Sequence, residues 1–247
     1  MMLLADVGNS RIKWVSCEQG EFRQRGQSRH DQESWPELVA RLWREAPRPQ
    51  RVLIVNVAGP QVRAALTDWI QQAWAIDAEF AVCSVAAFGV RNAYAEPERM
   101  GADRWVAMIA ARALTQQTCY VVDCGTAVTI DALAADGRHL GGVIFPGTRL
   151  MREALYRETR QIPPETGEVR LFGQSTRDGV WGGAAYAVAA AIDGITERMI
   201  ALHGPGLRLL TGGGGKAVLP CLQGDYRLEP DLLFLGLQVI AGDLPGG

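Results

Sequence analysis

Two segments of the sequence share one pattern, and this internal repeat constrains the fold more than any other feature. Residues 3–15 run from an apolar stretch through Asp6-Val7-Gly8 into a second apolar stretch. Residues 120–132 do the same around Asp123-Cys124-Gly125, near the middle of the 247-residue chain. Both segments resume strand character after the Asp-x-Gly turn, which is typical of antiparallel hairpins. The repeat predicts duplication of a unit of about 120 residues.

Helical and strand-like stretches alternate in both halves of the chain. The apolar spacing predicts helices that begin near Ser34 and at Pro60, and further helices over 102–116, 148–158, 180–202 and 232–241. Residues 51–57 and 207–210 read as strands, and 161–170 as an exposed loop. This alternation favours the α/β class. We predict two domains with mixed sheets, 1–114 and 115–247.

The composition excludes several classes of protein. The chain has 25 basic and 27 acidic side chains, so its charge gives no attraction to nucleic acid or to anionic membranes. The chain has five cysteines, and an odd number argues against a framework in which all cysteines are paired in disulfides. The most apolar stretch, 180–192, is shorter than the ~20 residues of a membrane span, and Met2–Ala5 is too short for a signal segment. We expect a soluble, cytoplasmic protein.

Two familiar phosphate-binding patterns fit the glycine run poorly. The P-loop pattern fails because Ala217 follows Gly215-Lys216, where Ser or Thr is required. Residues 212–217 match the dinucleotide pattern, but four consecutive glycines match many patterns. The acidic residue that this second pattern requires would have to be Glu229 or Asp231, on either side of Pro230.

The two Asp-x-Gly turns offer a third way to bind phosphate. Gly8 and Gly125 allow close approach of the backbone, so that the following N–H groups can point at phosphate oxygens. Asp6 and Asp123 can hold a cation through hard oxygen ligands. Alternatively, each aspartate merely caps a tight turn. Two turns with matching positions favour the phosphate interpretation.

These residues carry a resemblance to a known family. The segments 6–10, 123–127 and 211–213 resemble the phosphate-1, phosphate-2 and adenosine motifs of the actin/hexokinase/Hsp70 superfamily, and within it the chain resembles the type III pantothenate kinases. Further matching segments are Asn92-Ala93-Tyr94, 101–105, 141–147 and Ser175-Thr176. The resemblance implies two actin-like (ribonuclease H-like) domains, each with a mixed five-stranded sheet, and a nucleotide cleft between them.

The resemblance also implies an activity. It is the ATP-dependent phosphorylation of pantothenate to 4′-phosphopantothenate, the first step of coenzyme A biosynthesis. Mg²⁺ and a monovalent cation, K⁺ or NH₄⁺, would be needed, and the protein would be a homodimer whose surface includes 148–158 and 180–192. The alternatives are a nucleotide-binding regulator similar to the Bvg accessory factor, or a kinase of another small hydroxyl substrate. The presence of Asp103, Arg104 and Thr176 favours an enzyme over the regulator, and dependence on pantothenate would distinguish a kinase of another substrate.

Individual roles follow from the resemblance. It makes Asp103 the general base. Alternatively, Asp103 does no more than stabilise the start of its helix through the helix dipole. Arg104 suits the pantothenate carboxylate. The implied substrate-binding residues are Tyr94, Gly101, Ala102, Asp103, Arg104 and Thr176. The implied ATP-binding residues are Asp6, Val7, Gly8, Asn9, Ser10, Arg11, Ile12, Lys13, Gly125, Thr126, Gly212 and Gly213. Asp123 is assigned to the monovalent cation and Asp6 to Mg²⁺.

Two segments depart from the family pattern. The run Gly212–Gly215 is richer in glycine than the usual adenosine motif, which weakens the assignment of Gly212 and Gly213 to the nucleotide. Residues 159–163 match the family's loop only loosely, and this leaves open which residues cross a dimer interface.

Overall fold

The computed structural model describes residues 1–30, 33–44 and 46–242. It forms two compact units, one built from Met1–Leu114 and the segment that begins at Asp231, the other from Thr115–Pro230. The predicted division after residue 114 lies at this boundary. The prediction placed the whole C-terminal half in the second domain, whereas the structure returns the segment from Asp231 to the first unit.

The strands and helices have the following bounds. The strands are β1 (Met2–Val7), β2 (Arg11–Glu18), β3 (Glu21–Arg29), β4 (Arg51–Asn56), β5 (Ala78–Phe80), β6 (Ala86–Ala87), β7 (Val90–Arg91), β8 (Cys119–Cys124), β9 (Ala127–Leu133), β10 (His139–Pro146), β11 (Leu207–Thr211) and β12 (Arg227–Leu228). The helices are α1 (Trp35–Trp43), α2 (Pro60–Trp74), α3 (Ala102–Leu114), α4 (Thr148–Glu158), α5 (Thr176–His203), α6 (Gly215–Val218) and α7 (Leu232–Ala241).

The same sheet topology occurs twice. The first unit has the strand order β3-β2-β1-β4-β5 and the second β10-β9-β8-β11-β12. In each sheet the first three strands in chain order form an antiparallel meander, in which each strand is antiparallel to the next. The last two strands run parallel to the first. The α/β class and the two mixed five-stranded sheets predicted from the sequence are therefore confirmed.

The first unit packs helices against its sheet through an apolar core. Buried Leu38, Trp43, Leu66 and Ile70 of α1 and α2 join the buried side chains of β1, β2 and β4 in one cluster. Helix α7 packs on α3, where a side chain at Gly236 would collide with the backbone of Val106. This close helix contact explains why the C-terminal segment belongs to the first unit, since α7 buries Leu232, Leu233, Phe234 and Leu237.

The second unit is organised around α5. Val188 and Ile192 of this helix pack with Val122, Ile130 and Leu210 of the sheet. The helix begins at Thr176, earlier than the predicted residue 180, because the Ser175 hydroxyl accepts a hydrogen bond from the Asp178 N–H and caps the first turn. Among the helices of the described residues, none is both long enough and apolar enough to cross a membrane.

Candidate functional site

The first Asp-x-Gly turn joins β1 to β2. Asp6 pairs in register with Lys13 across the hairpin, and the Lys13 Nζ lies 3.8 Å from the Asp6 carboxylate. The turn is closed by a hydrogen bond of 3.0 Å from the Gly8 N–H to the Arg11 carbonyl. The predicted residues Val7 and Ile12 are buried and pair at the base of the turn, while Asn9 is exposed at its tip, followed by half-buried Ser10 and exposed Arg11.

The charge on Asp6 is disfavoured by its surroundings. Burial raises the pKa of the Asp6 carboxyl to about 6, the Lys13 ammonium opposes this rise, and the negative charge of Asp103 adds to it. The effect of Asp103 shows that the two carboxyl groups lie near one another in the first unit. Two neighbouring carboxylates form a local negative site that suits a bound cation.

Asp103 occupies the first turn of α3. Its Oδ1 accepts a hydrogen bond of 2.8 Å from the Arg104 N–H. A Cβ at Gly101 would lie 2.6 Å from the same oxygen, so a larger residue there would displace this carboxylate. Ala102 begins the helix between them. The structure therefore places the predicted residues 101–104 in one turn, close to Asp6.

Arg104 and Tyr94 form a hydrogen-bonded pair beside Asp103. Arg104 is only 5% exposed, and its Nη1 donates to the Tyr94 hydroxyl over 2.8 Å. The Tyr94 N–H in turn donates to the Asn92 Oδ1 over 2.9 Å. A buried guanidinium next to a tyrosine hydroxyl can bind a carboxylate with more than one hydrogen bond.

Two residues near this pair were not assigned a role from the sequence. Asn92 stood in a matching motif, but only the structure shows that it holds Tyr94. Cys83 donates from its Sγ to the Met100 carbonyl over 3.3 Å, and burial together with the Asp103 charge raises the pKa of its thiol to about 11. Nothing in the local sequence around Cys83 indicates this contact, because it joins residues far apart in the chain.

The second Asp-x-Gly turn joins β8 to β9. Asp123 pairs with Thr129 across the hairpin and with Thr211 on β11. The Gly125 N–H donates to the Ala127 carbonyl over 3.0 Å, and the Thr126 carbonyl accepts from the Gly147 N–H over 2.9 Å. The backbone of this turn is thus held within the second unit.

The glycine run lies against this second turn. Gly212 has a φ of +87°, and a side chain there would collide with the Asp123 carboxylate and the Cys124 backbone. The Gly214 N–H donates to the Cys124 carbonyl over 2.8 Å. Gly213 lies between these two contacts, with open space where a Cβ would point. The structure therefore brings Asp123, Gly125, Thr126 and the predicted glycines together.

Thr176 is located in a different part of the second unit. It is the first residue of α5, is exposed, and lines an apolar groove of about 860 Å³ between α4 and α5. Leu150, Met151 and Leu155 of α4 line the same groove. Helix α4 has no fully buried residue, so its apolar face remains accessible within the unit.

Solved structures with low sequence identity share this fold. An activator of 2-hydroxyisocaproyl-CoA dehydratase from Clostridium difficile with bound ADPNP matches with a TM-score of 0.56 at 12% identity, over 98% of this chain and 94% of that chain. Component A of the Acidaminococcus fermentans (R)-2-hydroxyglutaryl-CoA dehydratase matches with a TM-score of 0.58 at 13% identity, over 96% and 95%. These likenesses confirm the actin/hexokinase-like fold.

Sequence relatives give the family. The type III pantothenate kinase of Nitrosococcus oceani is 36% identical over 98% of this chain and 94% of its own. That of Halorhodospira halophila is 38% identical over 96% of both chains. The family model for type III pantothenate kinase matches residues 2–198, which is most of the chain. The resemblance inferred from the motifs is confirmed, and the chain belongs to the type III pantothenate kinase family.

Proposed function

We propose that Asp103 is the general base with which this chain phosphorylates pantothenate. ATP-dependent phosphorylation of pantothenate, in coenzyme A biosynthesis, is the activity of the family to which the chain belongs. The assignment rests on the position of Asp103, which is near Asp6 of the first turn and directly before the buried Arg104. A base must lie near both the phosphoryl donor and the group that anchors the acceptor.

The reaction needs one proton transfer and one phosphoryl transfer. The primary hydroxyl oxygen of pantothenate attacks the γ-phosphorus of ATP while its proton passes to the Asp103 carboxylate. The bond between the γ-phosphorus and the bridging oxygen breaks, and ADP leaves with that electron pair. The products are 4′-phosphopantothenate and ADP. Because the transition state is loose, positioning contributes more than the strength of the base.

The carboxylate of pantothenate is bound, in this proposal, by the Arg104–Tyr94 pair. The guanidinium is nearly buried, which strengthens its attraction for an anion relative to the same pair in water. Gly101 and Ala102 would contact the substrate through their backbone. Thr176 would contact it through its exposed hydroxyl. Asn92 supports this site because it fixes the backbone of Tyr94.

ATP is proposed to bind to residues of both Asp-x-Gly turns. In the first unit these are residues 6–13, in which Lys13 supplies a positive charge next to Asp6. In the second unit they are Gly125, Thr126, Gly212 and Gly213. The open space at Gly213 supports contact with a flat base, and the positive φ of Gly212 explains why glycine is required there.

The residues present also fit the expected cations. The described residues contain no group of three or more His, Cys, Asp or Glu side chains that could hold a metal. A Mg²⁺ ion at Asp6 would therefore take most of its oxygen ligands from phosphate and water, as is usual for this ion, and would neutralise charge on the phosphates. Asp123 would contribute a single carboxylate to a weakly held K⁺ or NH₄⁺.

We further propose that the enzyme is a cytoplasmic homodimer. The apolar groove between α4 and α5 supports the dimer, because an accessible apolar surface of this kind favours a protein partner. Most of the predicted surface segment 180–192 is instead buried in its own unit. Four of its residues line the groove, of which Val180 and Ala184 are buried and Gly183 and Ala187 are exposed. Five cysteines without disulfides suit a reducing compartment.

One assay tests the function and its alternatives. ADP release by the purified protein with Mg·ATP is measured with and without pantothenate, and with K⁺, NH₄⁺ or Na⁺. We expect release that depends on pantothenate and on K⁺ or NH₄⁺. ATP binding without pantothenate-dependent release would contradict the proposal and favour a regulator or a kinase of another alcohol. Light scattering of the same sample at several concentrations measures the oligomeric state.

A further inference from the structure

The imidazole of His30 contacts the first Asp-x-Gly turn directly. His30 follows the last residue of β3, and its Nε2 lies 2.8 Å from the Gly8 carbonyl oxygen. Because a carbonyl oxygen can only accept, Nε2 carries the proton and donates. The Gly8 N–H donates to the Arg11 carbonyl. Both backbone groups of Gly8 are therefore engaged, and the orientation of the turn is fixed.

The ring of His30 is held in place by α1. The centroids of the His30 and Trp35 rings are 4.7 Å apart, with 35° between their planes. Trp35 is the first residue of α1, and its ring packs against the core cluster of the first unit. The imidazole thus lies between a packed tryptophan and the Gly8 carbonyl, which limits the orientations that it can adopt.

The second unit holds its own turn from the equivalent position. Arg29 pairs with Arg11 at the start of β2, and Pro146 pairs with Ala127 at the start of β9. His30 and Gly147 are therefore the residues that follow the third strand of each sheet.

The two units use different groups at this position. The Gly147 N–H donates to the Thr126 carbonyl, and a Cβ at Gly147 would lie 2.5 Å from the Gly125 carbonyl oxygen. The second turn is thus held by a backbone group that leaves no room for a side chain. In the first unit the imidazole of His30 bonds the carbonyl of Gly8 itself, which aligns with Gly125, the residue before Thr126.

We propose that His30 is a positioning residue for nucleotide binding. It acts through Gly8: the hydrogen bond fixes the peptide plane after Gly8, and with it the direction of the N–H groups that follow in the turn. Backbone N–H groups bind phosphate well only when they are held in advance in the required direction. The inference rests on the proposed role of residues 6–13 in ATP binding.

Two substitutions separate the hydrogen bond from the ring contact. His30→Phe keeps a ring against Trp35 and removes the donor, whereas His30→Gln offers an amide donor without the ring. His203→Phe, at the exposed end of α5, is the matched control. The readouts are the Kd for Mg·ADPNP by calorimetry, the KM for ATP and for pantothenate, and the Tm.

We expect His30→Phe to raise the Kd for Mg·ADPNP and the KM for ATP by about 3- to 10-fold, the scale of one lost hydrogen bond. The KM for pantothenate should stay within about twofold of wild type, and His30→Gln should recover most of the loss. Equal increases in both KM values with a lower Tm and no rescue by glutamine would mean a merely structural role and would overturn the proposal.

Asn9→Ala separates this inference from the function on which it rests. If Asn9→Ala weakens Mg·ADPNP binding but His30→Phe does not, the turn binds ATP and the role of His30 is wrong. If neither variant changes nucleotide binding, the proposed ATP role of the first turn is wrong, and the inference about His30 falls with it.

Discussion

Lys13 lies opposite Asp6 across the first hairpin, with its ammonium 3.8 Å from the carboxylate. The equivalent position opposite Asp123 in the second hairpin is Thr129. The two turns therefore share a backbone plan but differ in the residue opposite the aspartate, which is a lysine in the first turn and a threonine in the second. This difference fits a division of roles in which the first turn faces phosphate and the second binds a monovalent cation.

Replacing Lys13 should affect the nucleotide more than pantothenate. Lys13→Met keeps much of the aliphatic length and removes the charge, so phosphate loses an electrostatic partner. We expect the KM for ATP to rise by about 5- to 50-fold, on the scale of a charged hydrogen bond, with the KM for pantothenate nearly unchanged. Steady-state kinetics with each substrate varied in turn measures this. An equal rise in both KM values would contradict the assignment of Lys13 to ATP.

The buried charge on Asp6 should make the contribution of this residue to the stability of the unliganded protein less favourable at neutral pH than at acid pH. The pKa of Asp6 is raised to about 6 in the folded protein, from 3.8 in the unfolded chain. Between these values the folded state binds more protons, so the contribution of Asp6 to stability decreases as the pH rises through this window and is constant above it. A shift of about two units corresponds to at most about 3 kcal/mol.

Asp6→Asn removes this contribution. We expect the variant to be more stable than wild type above pH 6 by up to about 3 kcal/mol, with a difference that shrinks toward pH 4, and to be inactive as a kinase. Urea unfolding in buffer with a chelator at several pH values measures the difference. Glu18→Gln, an exposed carboxylate of the same hairpin, is the control and should show no such trend. A pH-independent difference would show that folding does not raise the pKa of Asp6.

Asp103→Asn should fold normally and lose phosphoryl transfer. The amide can still accept the Arg104 N–H through its oxygen, so the start of α3 keeps its hydrogen bond. It cannot take the hydroxyl proton, and we expect kcat to fall by about 10²–10⁴-fold. Single-turnover assays on a variant with an unchanged circular dichroism spectrum measure this. Turnover close to wild type would sink the assignment of the base.

Much of the fold could be predicted from the sequence because its signals are local. The Asp-x-Gly repeat indicated both hairpins, and apolar spacing placed α3 and α4 closely. The position of α7 in the first unit was not predictable in this way, since it depends on contact between Gly236 and α3, more than 100 residues away in the chain. The early start of α5 depends on the Ser175 cap. The apolar pattern used for the prediction begins only at residue 180 and therefore did not include this cap.

The candidate site was predictable only in part, for the same reason. The motifs identified residues 6–13, which lie in one hairpin, and residues 101–104, which lie in one turn. Some of the support around them is local, since Asn92 holds Tyr94 two residues away, but Cys83 contacts Met100 and His30 contacts Gly8 across longer separations in the chain. A histidine or cysteine that stands alone in the sequence gives no sign of such a partner, because the sheet topology creates the contact.

The Arg104–Tyr94 pair predicts a separation of effects on the acceptor substrate. Arg104→Lys keeps the charge but loses the planar guanidinium, and Tyr94→Phe removes the hydroxyl that accepts from Nη1. We expect Arg104→Lys to raise the KM for pantothenate by at least about 10-fold, and Tyr94→Phe by about 3- to 10-fold, with the KM for ATP unchanged in both. Pantothenol, in which a hydroxymethyl group replaces the carboxylate, provides the control. If Arg104 binds the carboxylate, pantothenol should be a poor substrate of the wild type and should lose little further in Arg104→Lys. A large loss with pantothenol as well would show that Arg104 supports the site without binding the carboxylate.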